Sequence, residues 1–151
     1  MKNLLSPTLI TLLSLVFPAQ GKVWISEFVA DNDGSYFDEN NDDEDWIELF
    51  NDGDEAVDLG GWSLTDDETQ PRQWIFPPGA SIGSKGYLVV FASNKNRRVV
   101  GSEYHTNFSL SKSGEYLGLI RADGQTVEDD FEGGFPGQFE GVSYGIGQGG
   151  G

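Results

Sequence analysis

The 151 residues contain no cysteine. That excludes disulfides, thiolate metal sites and cysteine nucleophiles. There is a single histidine, His105, so a zinc site built from several histidines is excluded as well. A Ser-His-carboxylate set would have to use His105; Gly-x-Ser-x-Gly occurs at Gly79–Gly83 and Gly141–Gly145, but a nucleophile elbow needs a strand-to-helix turn, and the sequence shows no helical periodicity after either. Positive charge is scarce: 9 Lys+Arg stand against 25 Asp+Glu, for a formal net charge of -16. No Lys or Arg lies between Lys22 and Arg72, an interval holding 17 of the acids. A field of that sign repels phosphate backbones, so direct nucleic-acid binding is not expected. It attracts cations, and its simplest consequence is a solvated, solubilising surface.

The one long apolar stretch is N-terminal. Lys2 precedes a mostly apolar run from Leu4 to Phe17, and Pro18-Ala19-Gln20-Gly21 follows with small residues. The run is short for a bilayer span and has the form of a secretory signal peptide. Residues 1–21 are therefore expected to be a signal peptide, which makes the product secreted or displayed at the cell surface. Residues 22–145 are expected to form one domain, large enough to build a core without disulfides. Residues 146–151 form a glycine-rich tail or the start of a linker.

Within 22–145 the pattern is that of short strands. Val23 to Ala30 is apolar on both sides, with Val23, Ile25 and Val29 on one side and Glu27 interrupting that face. A carboxylate buried there would need a partner. Asp31 to Glu44 is a long polar loop in which only Tyr36 and Phe37 are large and apolar. Trp46 to Phe50 alternates, with Ile47 and Leu49 on one face and Trp46, Glu48 and Phe50 on the other. Val57 to Leu64 is a third strand region, bent at Gly60-Gly61. Trp74 to Phe76, Tyr87 to Ala92, Tyr116 to Arg121 and Thr126 to Phe131 follow, the last two joined by the turn Asp123-Gly124. From Glu132 onward the composition turns linker-like, with Val142-Ser143-Tyr144-Gly145 as a closing strand. Turn signals at roughly 8–12-residue spacing and no helical periodicity predict an antiparallel sandwich.

Seven segments occur in a set order: Trp24-Ile25-Ser26-Glu27-Phe28, Asp45 through Asn51, Val57 through Asp66, Trp74 through Pro77, Gly86 through Val90, His105 through Ser111 with Gly114-Glu115, and Val142 through Gly145. Together they resemble the lamin tail domain as it occurs in secreted bacterial proteins. The resemblance implies an all-β, immunoglobulin-like antiparallel β-sandwich and a role as an interaction module rather than an enzyme. It also implies that His105 packs or hydrogen-bonds before a strand. The chain has neither the coiled-coil rod nor the basic tail of nuclear lamins. Family members also stand beside nuclease or phosphatase modules, so an accessory domain of a secreted hydrolase is the alternative role.

Three kinds of chemistry can be placed on named residues. Glu27, Asp31, Asp33, Asp43, Asp45 and Glu48 offer oxygen ligands where the first two strands meet, a donor set suited to Ca²⁺. The EF-hand pattern fails, because Asp43 stands where glycine is required. Glu27 and Glu48 could act as a carboxylate pair in a small hydrolase. Trp24, Trp46, Trp62 and Trp74 could line a sugar platform, although each also fits strand packing. The basic stretch Lys95, Arg97 and Arg98 is opposite in sign to the acidic loop and could support head-to-tail self-association. The expected partner is a protein or a cell-surface component.

Overall fold

The computed structural model describes residues 21–145. The expected signal peptide, apart from Gly21, and the glycine-rich tail lie outside the described residues. Eleven strands run in chain order: β1 (Val23–Val29), β2 (Asp45–Asn51), β3 (Val57–Asp58), β4 (Ser63–Thr65), β5 (Trp74–Ile75), β6 (Ser81–Ile82), β7 (Tyr87–Ala92), β8 (Tyr104–His105), β9 (Gly118–Ile120), β10 (Val127–Asp130) and β11 (Tyr144–Gly145). They form a five-stranded sheet, β11-β1-β2-β7-β8, a four-stranded sheet, β10-β9-β4-β5, and the small pair β3-β6. The architecture is the expected all-β, immunoglobulin-like sandwich. Pairing is antiparallel except that β8 runs parallel to β7.

The two main sheets enclose one apolar core. Val23, Ile25, Phe28, Ile47, Leu49 and Val90 face Leu64, Trp74, Leu117 and Leu119 across it. Trp74 is wholly buried and packs edge-on to Phe76, with centroids 4.8 Å apart. The alternation read for β2 holds: Ile47 and Leu49 are inside, and Glu48 is half-buried on the other face.

Strand β1 departs from simple alternation. A bulge at Ser26 lets Ile25 pair with Leu49 and Glu27 with Glu48, two residues against one. Val23 and Ile25 point into the core before the bulge, and Phe28 and Ala30 do so after it. Val29 lies outside that core, opposite Trp46. Glu27 is thereby turned to the outer face and is half-exposed, so it does not need the buried partner that unbroken alternation implies.

Two further boundaries move. The expected third strand, Val57 to Leu64, splits into β3 and β4 in different sheets. The break is at Gly61, whose φ of 84° is one that a side chain disfavours. The stretch after Glu132 is not merely linker-like, because Phe135 is buried in the core with its ring 4.5 Å from that of Phe28.

Candidate functional site

The strand register arranges the outer face of the five-stranded sheet in rows across β1, β2 and β7. The first row is Trp24, Phe50 and Tyr87; the second is Glu27, Glu48 and Val89; the third is Val29, Trp46 and Phe91. In the first row the Trp24 and Phe50 rings are 5.3 Å apart and those of Phe50 and Tyr87 are 4.5 Å apart. Tyr87 is 55% exposed, so this end of the face is open to solvent. Beside the third row lies a groove of about 380 Å³, lined by Val29, Tyr36, Trp46, Glu48, Val89 and Ser143.

In the middle row two glutamates, Glu27 and Glu48, are register partners on adjacent strands. Such like-charge pairs are unfavourable across antiparallel strands. The Ser26 hydroxyl donates to Glu48 Oε1 at 2.7 Å, which orients that carboxylate. The described basic residues are engaged elsewhere. Lys22 pairs with Asp129, Lys85 with Asp54, Lys112 with Asp31, and Arg121 with Glu128. Arg72 bonds the Ala122 carbonyl and Arg98 the Asn96 side chain.

The acidic loop 31–44 folds across the far end of this face. Tyr36 stacks on Phe91 with centroids 5.5 Å apart and planes 8° from parallel, and it meets Trp46 edge-on. Lys95 enters the loop from the basic stretch after β7. Its ammonium bonds Asp38, Asp42 at 2.7 Å and Glu44 at 3.1 Å, three acceptors for three donors. The Asp38 carboxylate is fully buried; its Oδ1 accepts the N–H groups of Asn40 and Asp42, both at 2.9 Å. Burial raises the Asp38 pKa, but the bonds from Lys95 and these amides outweigh it, and the net shift is downward. For Lys95, burial works downward and the three carboxylates more than offset it, so the ammonium is held charged.

Glu39 carries a second link. It pairs with Arg97 and accepts from His105 Nε2 at 3.0 Å. His105 is wholly buried, stacks on Phe91 at 5.2 Å, and meets the Ser93 hydroxyl through Nδ1 at 2.8 Å. Burial, with Arg97 nearby, lowers its pKa. The Glu39 carboxylate can only accept, so Nε2 carries the ring proton, and in the neutral imidazole Nδ1 accepts from the Ser93 hydroxyl, whose oxygen also accepts the Lys95 N–H at 3.4 Å. This Ser-His-Glu chain ties the loop to β7 and β8. His105 thus has the hydrogen-bonding role expected of it.

The six calcium candidates are distributed over three places. Glu27 and Glu48 face each other in the sheet. Asp31 and Asp45 lie near each other at the strand ends, where the Asn32 N–H donates to Asp45 Oδ1 at 3.1 Å. Burial, with Asp31 adding to it, pushes the Asp45 pKa up to about 6. Asp33 and Asp43 are exposed in the loop. Among the described residues, the acidic and histidine groups that converge within 4.8 Å are Asp38-Glu39-His105 and Asp38-Asp42-Glu44, and they include none of the six. Lys95 already occupies the second of these. Neither the Lys95 cluster nor the Glu39-His105-Ser93 link follows from strand alternation. The only hint in the sequence is that the acid-rich loop and Lys95 to Arg98 are opposite in sign. That basic stretch is paired within the chain through Lys95 and Arg97, which leaves little of it for head-to-tail contact between copies.

The tryptophans divide two and two. Trp62 and Trp74 are in the core, while Trp24 and Trp46 are half-buried on the outer face. The Lamin Tail Domain family pattern matches residues 17–130. The chain belongs to the lamin tail domain family. No curated protein matches it. The matched range includes β1 through β10 and leaves out β11, which completes the edge of the five-stranded sheet beside β1 in this lamin tail domain. Among the described residues no helix is long and apolar enough to cross a membrane.

Proposed function

We propose that this lamin tail domain is a non-catalytic binding module that works outside the cytoplasm, with the outer face of the five-stranded sheet as its working surface. Export rests on the signal-peptide pattern of residues 1–21. The binding role rests chiefly on one observation: the open row Trp24-Phe50-Tyr87, followed by a groove beside Trp46, on a face that no second sheet covers among the described residues. Aromatic side chains on a rigid sheet supply large contact area at low conformational cost. As an accessory domain of a secreted hydrolase, the chain would present the same face to the same kind of partner.

The test is retention of extracellular proteins or cell-surface material by the immobilised full chain, compared with Tyr87→Ser and Trp24→Ser. Partner retention that falls at least tenfold in both variants, with melting temperature preserved, supports the reading. Equal retention by all three removes the sheet face from the proposal. The in-register Glu27-Glu48 pair favours one competing reading, a carboxylate-pair hydrolase. Glycoside hydrolysis by the isolated chain, abolished in Glu48→Gln without loss of folding, would replace the binding proposal with that one.

A further inference from the structure

We infer that the partner is a basic polypeptide, bound as an extended segment that places a Lys or Arg side chain over Glu27 and Glu48, between the aromatic rows. This rests on the binding reading above and adds the chemistry of the partner.

Charge complementarity carries the inference. Glu27 and Glu48 are paired Cα to Cα on adjacent strands, with none of the described basic residues bonded to either. Antiparallel partners lie about 4.5–5.5 Å apart Cα to Cα, so the two side chains leave the sheet side by side and a single cation can reach both carboxylates. The surroundings suit an organic cation rather than a bare ion. Val89 continues the same row, and Val29, Tyr36 and Trp46 form the adjoining groove. Apolar and aromatic walls cover the methylene stem of a lysine or the face of a guanidinium, while the carboxylates take the charged head. The whole-chain charge of -16 adds long-range attraction for a basic partner.

Length favours a polypeptide over a small ammonium compound. From Trp46 to Phe50 the face extends four residues along β2, about 14 Å at the usual strand rise. A small ammonium ion would occupy only the middle row. An extended segment of about four residues reaches from the open aromatic row to the groove, with alternate side chains meeting successive rows. Lys95 marks the contrast: there the chain supplies its own ammonium to three carboxylates, and at Glu27-Glu48 none of the described residues does.

The experiment is a fluorescence and NMR titration of the full chain with a capped peptide of alternating alanine and lysine. The same peptide with glutamate for lysine, and tetramethylammonium chloride, serve as comparison probes. Expected are saturable binding by the lysine peptide and chemical-shift changes at Trp46, Glu48 and Val89. Affinity should fall at least tenfold in Glu27→Gln and Glu48→Gln and stay unchanged in Asp43→Asn. Both Gln variants should keep or raise the melting temperature, since each removes one negative charge from a strongly acidic chain. Binding that survives Glu48→Gln but is lost in Asp43→Asn would overturn the inference in favour of diffuse attraction to the loop. Tetramethylammonium binding as tightly as the peptide would overturn the choice of a polypeptide. If retention of a partner depends on Tyr87 and Trp24 while the lysine peptide does not bind, the inference fails and the binding reading stands.

Discussion

Asp45 illustrates how one residue's environment sets a pH dependence. Its carboxyl is half-buried at the start of β2, near Asp31, and its pKa is pushed up to about 6 from 3.8. Because the folded value lies above the unfolded one, the folded chain binds more protons between those two pH values. The stability associated with that proton is fully present below the lower value and is lost as pH rises through about 6. The residue is partly exposed, so screening discounts the effect to about 1 kcal/mol. Asp45→Asn keeps an oxygen to accept the Asn32 N–H and removes the charge. Urea denaturation should find it about 1 kcal/mol more stable than wild type near pH 7.5, with the gap closing towards pH 4. A gap of equal size at both pH values would contradict the assignment.

At the scale of an element, the acidic loop is ordered by a side chain from elsewhere in the chain. Its fourteen-residue span, 31–44, has few apolar residues, yet Tyr36 stacks on Phe91 while Lys95 and Arg97 hold Asp38, Asp42, Glu44 and Glu39. Removing one partner of a buried pair leaves an uncompensated charge, at a cost of about 3 kcal/mol. Lys95→Met should therefore lower stability by about that amount and speed hydrogen exchange at the amides of Asn40 and Asp42, which bond Asp38. EDTA should leave wild-type exchange at these amides unchanged, because the lysine supplies the positive charge. Chelator-sensitive exchange there would instead return calcium to this loop.

For the whole molecule, the dominant electrostatic term is self-repulsion. Among the described residues, ion pairs take six of the eight basic side chains, and most of the acids stand outside them. Salt screens exposed repulsion more than it weakens the buried Lys95 cluster. Calorimetry should show the melting temperature rising by about 3–6 °C between about 10 mM and about 300 mM NaCl. A fall over that range would mean that the attractive pairs outweigh the repulsion.

The strands that alternate cleanly are legible in the amino-acid sequence. Ile47 and Leu49 against Trp46, Glu48 and Phe50 define both faces of β2, because side-chain direction in a strand has a period of two. The Asp123-Gly124 turn is legible for a similar reason: Gly124 adopts a φ of 70°, which glycine permits at no steric cost. A sandwich class, its apolar core strands and the sign of its surface thus follow from local pattern alone. The bulge at Ser26 does not, since one extra residue reverses every later side chain and leaves no mark in composition. Nor does the division of the tryptophans, the Lys95 cluster or the Ser93-His105-Glu39 link, because each depends on residues far apart in sequence. Which carboxylates receive a cation from within the chain, and which are left facing outward without one, is decided by tertiary structure, where strand register and loop path set the distances on which charge pairing depends.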